Sequence, residues 1–122
     1  MTKIRTSEPL SPTIDPGVSG VRLRGRLGIS DDQIASFCQR WMVAEMALFG
    51  SVLRDDFRPE SDVDVLVDFA PEATWSLFDI SRMRLELSSL LGHEADLVQV
   101  AGLRNPFRRR AILSSREVIY AA

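Results

Sequence analysis

Apolar residues along the chain follow two rhythms. After Ser30, Ile34, Phe37, Cys38 and Trp41 recur at helical spacing. Ser30 with Gln33 forms a capping-box pair that starts this helix. Residues 43–49, Val-Ala-Glu-Met-Ala-Leu-Phe, read as a buried strand running into Gly50-Ser51. Residues 63–69, Val-Asp-Val-Leu-Val-Asp-Phe, read as a second strand. Ile80, Met83, Leu87, Leu90 and Leu91 mark one stripe of a helix over about 75–91, with Gly92 as its stop. Residues 95–100 read as a third strand. Asn105-Pro106 is a cap followed by Pro at the first helical position, predicting a helix to about Ser114. Val118-Ile119-Tyr120 reads as a last short strand. A short helix between the first two strands completes the order. The fold class is therefore α/β (α+β), a small mixed sheet flanked by helices.

Composition separates residues 1–28 from 29–122. The first segment holds three of the six Pro and four of the seven Gly, with five basic and two acidic residues. Ser7–Gly20 is expected to have little fixed structure. Residues 21–27 alternate apolar and basic, the pattern of a short strand with one basic face, which could line a sheet edge or touch a polyanion. Residues 29–122 carry 10 basic and 15 acidic residues and contain the candidate domain. At 122 residues and net charge −2, the chain is one domain's worth and not a globally basic nucleic-acid binder. Its one cysteine, Cys38, excludes a disulfide framework and a multi-cysteine zinc site. No apolar run suits a membrane span and no signal-peptide core is visible, so a cytoplasmic location is expected.

The chemistry gathers in one stretch. Gly50-Ser51 is followed, after ten intervening residues, by Asp62-Val63-Asp64. At i and i+2 on a strand, Asp62 and Asp64 point to one face, roughly 6–7 Å apart at the backbone. Two carboxylates so close repel unless a cation separates them. Hard oxygen ligands suit Mg²⁺, which takes one or two carboxylates plus substrate phosphates. Gly50 permits close backbone approach, and Ser51 offers a hydroxyl and an N–H to a phosphate. Asp96, on the next strand, is a candidate third carboxylate of the same face. Such a set, holding one or two Mg²⁺, clamps the oxygens of an in-line phosphoryl displacement.

The block from Leu48 to Val67 resembles the signature of the polymerase-β-like nucleotidyltransferase superfamily, and more narrowly that of its minimal nucleotidyltransferase (MNT) family. Ala95-Asp96-Leu97-Val98, Leu103-Arg104-Asn105-Pro106, Arg108 to Leu113 and Val118-Ile119-Tyr120 extend the resemblance over about residues 30–120. It implies that Gly50 and Ser51 bind phosphate and that Arg54 and Ser61 lie near the nucleotide. It implies that Asp62 and Asp64 bind metal and that Asp96 binds metal or acts as general base. The chain departs at Asp55, where many relatives have Gly, a difference that bears on the turn rather than on the carboxylates. Larger superfamily members add a domain for the acceptor, and none is visible here, so the acceptor is expected from elsewhere. MNT proteins act as antitoxins paired with helical HEPN ribonuclease toxins. They transfer AMP from ATP to a toxin tyrosine or neutralise the toxin by binding it. The expectation is an Mg²⁺-dependent adenylyltransferase. The alternatives are a non-catalytic antitoxin that masks its toxin, and an antibiotic-type small-molecule transferase, which a homo-oligomer with an acceptor cleft between subunits would favour.

Blander readings stand beside these. Asp62 and Asp64 could face water at the start of a strand, and Asp68 is an internal control, since it shares their face without a motif role. Asp96 could form a structural ion pair. His93 reads as exposed or bonded to a turn, and Cys38 as a small core residue. Arg104, Arg108, Arg109 and Arg110 read as a solvated helix face or as a phosphate or partner contact. Trp75 and Phe78 read as core or as a partner patch. Nucleic-acid contact is expected only through the basic N-terminal segment, and no membrane contact.

Overall fold

The computed structural model describes residues 27–122. In these residues the chain runs α1 (Asp31–Arg40), β1 (Val43–Phe49), a 3₁₀ turn (Gly50–Leu53), β2 (Val63–Phe69), α2 (Leu77–Leu91), β3 (Ala95–Gln99), a second 3₁₀ turn (Val100–Gly102), α3 (Pro106–Ser115) and β4 (Glu117–Ala121). The strands form one sheet in the order β3-β2-β1-β4. β1 is antiparallel to both β2 and β4, and β2 is parallel to β3. The mixed pairing follows from the connections: the crossover through α2 is long enough to return β3 parallel to β2.

The caps match the sequence reading. Ser30 and Gln33 close a reciprocal capping box on α1, and Gly92 ends α2 in the left-handed conformation at φ 72°. Asn105 accepts the N–H groups of Phe107 and Arg108, with Pro106 opening α3. Several element boundaries differ from expectation, β4 among them at Glu117–Ala121. α2 begins at Leu77, because Ser76 and Asp79 form a second capping box. β3 ends at Gln99, and Val100 turns into 3₁₀ geometry. α3 runs to Ser115. The strand expected over 21–27 lies outside the described residues except for Leu27, which is helical and buried.

Two apolar clusters lie on opposite faces of the sheet. The larger joins Ile34, Phe37 and Cys38 of α1 and Met83, Leu87 and Leu91 of α2 to Val63, Val65 and Val67 of β2. The smaller joins Ile112 of α3 and Leu103 to Ala47, Phe49 and Leu66. The even-numbered residues of β2 thus face α3. Trp75 belongs to the structure's interior edge: its ring meets Trp41 edge-on at 5.2 Å, and its Nε1 donates to the Trp41 carbonyl at 2.9 Å. Phe78 remains 84% exposed. No helix among the described residues is long and apolar enough to cross a membrane.

Candidate active site

β1 delivers the chain to Gly50 at the end of the sheet where β2 begins. Gly50 has φ 78°, a conformation that glycine adopts at little cost. A side chain there is excluded for a second reason. A Cβ on Gly50 would overlap Asp64 Oδ2 and lie 3.2 Å from Asp64 Cγ. The turn closes when the Arg54 N–H donates to the Ser51 carbonyl at 2.9 Å. Ser51 Oγ donates to the Asp62 carbonyl at 3.4 Å, a long contact that ties the turn to the start of β2.

The register brings the acids together. Asp64 is the direct partner of Asp96 across the parallel β2–β3 pair, so their backbones lie roughly 4.8 Å apart. Asp62 lies two residues upstream, just before β2 begins at Val63, so the two acids are not the expected pair on one strand. Asp64 is half-buried, while Asp62 and Asp96 are exposed. Burial, and then the negative charges of Asp96 and Asp62, raise the Asp64 carboxyl above the ordinary carboxylate range, while Arg108 and Arg54 pull it back. Asp68 lies exposed at the far end of β2, opposite Glu45 of β1. The control therefore separates from Asp64 but not from Asp62, which is exposed as Asp68 is. Asp96 makes no ion pair with another described residue.

Among the described residues, no group of three or more His, Cys, Asp or Glu side chains is drawn together closely enough to hold an ion by itself. The donor set still fits a hard divalent cation. Two or three carboxylates that repel one another beside a side-chain-free turn leave coordination positions for water and substrate phosphate, the usual manner of Mg²⁺.

The remaining expected residues frame the turn. Arg54 is exposed and pairs with Asp56 at 3.3 Å. Ser61 Oγ accepts the Arg58 N–H at 3.1 Å, which leaves its own proton free to donate. Asp55 is exposed in the same loop, which closes without a glycine there. Sequence reasoning gave His93 no place in the site, yet it anchors this loop. Its Nδ1 lies 2.9 Å from the Ser61 carbonyl, so it donates there, and its ring packs on Phe57 with centroids 4.9 Å apart. Only a long-range pairing could reveal this, since Ser61 and His93 are 32 residues apart. The arginine cluster also divides. Arg109 donates to the Val100 carbonyl at 3.2 Å, whereas the charge of Arg108 acts on Asp64.

A four-stranded mixed sheet carries paired acids beside a Gly-Ser turn, and the comparisons with known proteins show the family to which this fold belongs. The nucleotidyltransferase domain family matches residues 31–119; the chain belongs to that family and is a nucleotidyltransferase. It is 37% identical over 82 residues to the protein adenylyltransferase MntA of Thermococcus cleftensis, covering 67% of this chain and 78% of that one. Its fold matches a solved chain described as a minimal nucleotidyltransferase, with TM-score 0.60 and 35% identity over 80% of this chain and 92% of that one. It also matches, with TM-score 0.55 and 16% identity over 75% of this chain and 70% of the other, a chain from the complex of a tri-AMPylated Shewanella oneidensis HEPN toxin with its MNT antitoxin. That last likeness is one of fold.

Proposed function

We propose that this nucleotidyltransferase transfers AMP from ATP to a tyrosine hydroxyl of a HEPN-family toxin, in dependence on Mg²⁺, and acts as that toxin's antitoxin. The observation that carries the reading is the pairing of Asp64 with Asp96 across β2 and β3, beside a turn where Gly50 admits no side chain. The name of the Thermococcus relative and the composition of the Shewanella complex support the acceptor class. So do the exposed Leu77, Phe78 and Phe107, which suit a protein surface better than a small hydroxyl compound.

In this reading Asp62 and Asp64 hold the cation, with Asp96 as a further ligand or as the base. Mg²⁺, when bound, neutralises phosphate charge and lowers the cost of charge build-up in the transition state. The Ser51 hydroxyl and the N–H groups of its turn donate to phosphate oxygens. Arg54 and Ser61 flank the nucleotide. Asp96 accepts the proton of the acceptor hydroxyl as its oxygen bonds to the α-phosphorus. The bond from that phosphorus to the bridging oxygen breaks, and pyrophosphate leaves.

The test is to incubate the protein with its genomic-neighbour toxin, ATP and Mg²⁺ and to weigh the toxin by mass spectrometry. The expected gain is one or more AMP units, lost when Asp62 and Asp64 are both replaced by Ala. A toxin of unchanged mass overturns the reading. A second reading, neutralisation by masking, draws on the exposed apolar residues of α2, Leu77, Phe78 and Leu85, which are independent of the carboxylates. Full neutralisation of toxicity by the double Ala variant would favour it.

A further inference from the structure

α3 lies across the same sheet face as the carboxylates, and one of its arginines is placed differently from the rest. Ile112 is buried in the cluster that contains Leu66. Arg108 precedes Ile112 by four residues, so it projects from the same side of α3, roughly 6 Å along the axis. Asp64 precedes Leu66 by two residues on the same side of β2, roughly 6.6 Å along the strand. The two offsets match, which places Arg108 towards the Asp64 end of β2 when Ile112 packs in the cluster around Leu66. Arg116, four residues beyond Ile112, pairs with Glu45, which lies opposite Asp68 at the other end of β2, so the Arg108 end of α3 points towards Asp64.

Arg108 is also held in place and available. Its backbone N–H donates to Asn105 Oδ1 at 3.1 Å, fixing it in the capped first turn of α3. Its side chain is exposed and makes no ion pair with another described residue. The neighbours are placed otherwise: Arg109 is committed to the Val100 carbonyl, and both Arg109 and Arg110 line an open groove with Pro106, Leu113 and Ser114.

We propose that Arg108 is a phosphate-binding residue of the active site, which reaches from α3 across the Asp64 end of β2 to the phosphate chain of the bound nucleotide, facing the Ser51 turn. The assignment rests on the nucleotidyl-transfer reading of the site and adds a ligand to it. A guanidinium in this position offers paired N–H donors to phosphate oxygens. It also offsets the negative charge of Asp64, of the nearby carboxylates and of the triphosphate at this end of β2.

The experiment is isothermal titration of the full chain with ATP in the presence of Mg²⁺, for the wild type, Arg108→Ala, Arg108→Lys and Arg110→Ala, alongside the thermal midpoint of each ligand-free protein. Arg108→Ala is expected to weaken ATP binding roughly 10- to 100-fold, with only a slight fall in the ligand-free midpoint from the lost positive charge near Asp64. Arg108→Lys is expected to recover part of the loss, and Arg110→Ala to bind as wild type. A merely structural role would lower the ligand-free midpoint markedly and show no rescue by Lys, and that outcome overturns the assignment. So does wild-type affinity in Arg108→Ala, which leaves the reading of the site intact. A wild-type protein that binds no ATP overturns the nucleotidyl-transfer reading and the assignment of Arg108 with it.

Discussion

Gly50 and Asp64 are packed so closely that the Cβ of any other residue at position 50 would strike the Asp64 carboxylate. The backbone at Gly50 is left-handed as well. Gly92 has nearly the same φ, 72° against 78°, but open space where its Cβ would stand. The pair separates backbone strain from steric exclusion. Gly92→Ala is expected to lower stability by about 1 kcal/mol and to leave transfer intact. Gly50→Ala carries the same strain and must also displace Asp64, so transfer is expected to be lost. Urea denaturation and a transfer assay on both variants check this.

Asp64 is destabilised by its surroundings in the absence of a cation. Its folded carboxyl is raised above the unfolded value by burial and by Asp96 and Asp62. A raised folded value means that the folded state holds this proton more tightly. The associated stability is present below the unfolded value and is lost as pH rises through the folded one. Asp64→Asn is therefore expected to raise the thermal midpoint of the metal-free protein at neutral pH while abolishing transfer. Adding Mg²⁺ should raise the midpoint of the wild type and not that of the variant. Thermal scans with Mg²⁺ and with EDTA, at several pH values, read all of these effects.

His93 restrains the loop that leads to Asp62. Through Ser61 and Phe57 it ties the loop to the turn before β3. His93→Ala removes one hydrogen bond and a ring contact, a loss of about 1–2 kcal/mol. The loop contains the exposed Arg54, its one trypsin site, since the Arg58–Pro59 bond resists trypsin. Limited trypsin digestion is expected to cut there faster in the variant, with a weaker apparent affinity for ATP.

Cys38 is fully buried between α1 and the sheet. Burial pushes its thiol up to about 12, so the nucleophilic thiolate is scarce at neutral pH. Native protein is expected to resist a thiol-specific disulfide reagent at pH 8 and to react with one equivalent in denaturant. The raised thiol favours the folded state below about pH 9, and that contribution is lost as pH rises towards 12. Absorbance of the released thiol gives the measurement.

The helix caps and the two buried strands were legible because they are local. Ser30-Gln33, Asn105-Pro106 and Gly92 each satisfy or end a helix within a few residues of themselves. The motif was legible because Gly50, Ser51, Asp62 and Asp64 lie in one short stretch. Ser76 was missed as a cap because Trp75 and Leu77 continue the apolar pattern around it. Trp75 and Phe78 could not be told apart by sequence, since one ring found Trp41 and the other found no core.

Alternation and helical spacing alone determined which residues are strand and helix, and which side of β2 bears acids, because both depend on fixed backbone periods. Tertiary structure decided the pairing of Asp64 with Asp96, the hold of His93 on Ser61 and the reach of Arg108 towards Asp64. Each joins residues about 30 or more positions apart. Such distances are set by how the sheet orders its strands and how α3 buries Ile112 in the cluster around Leu66, and no local rule of the chain contains them.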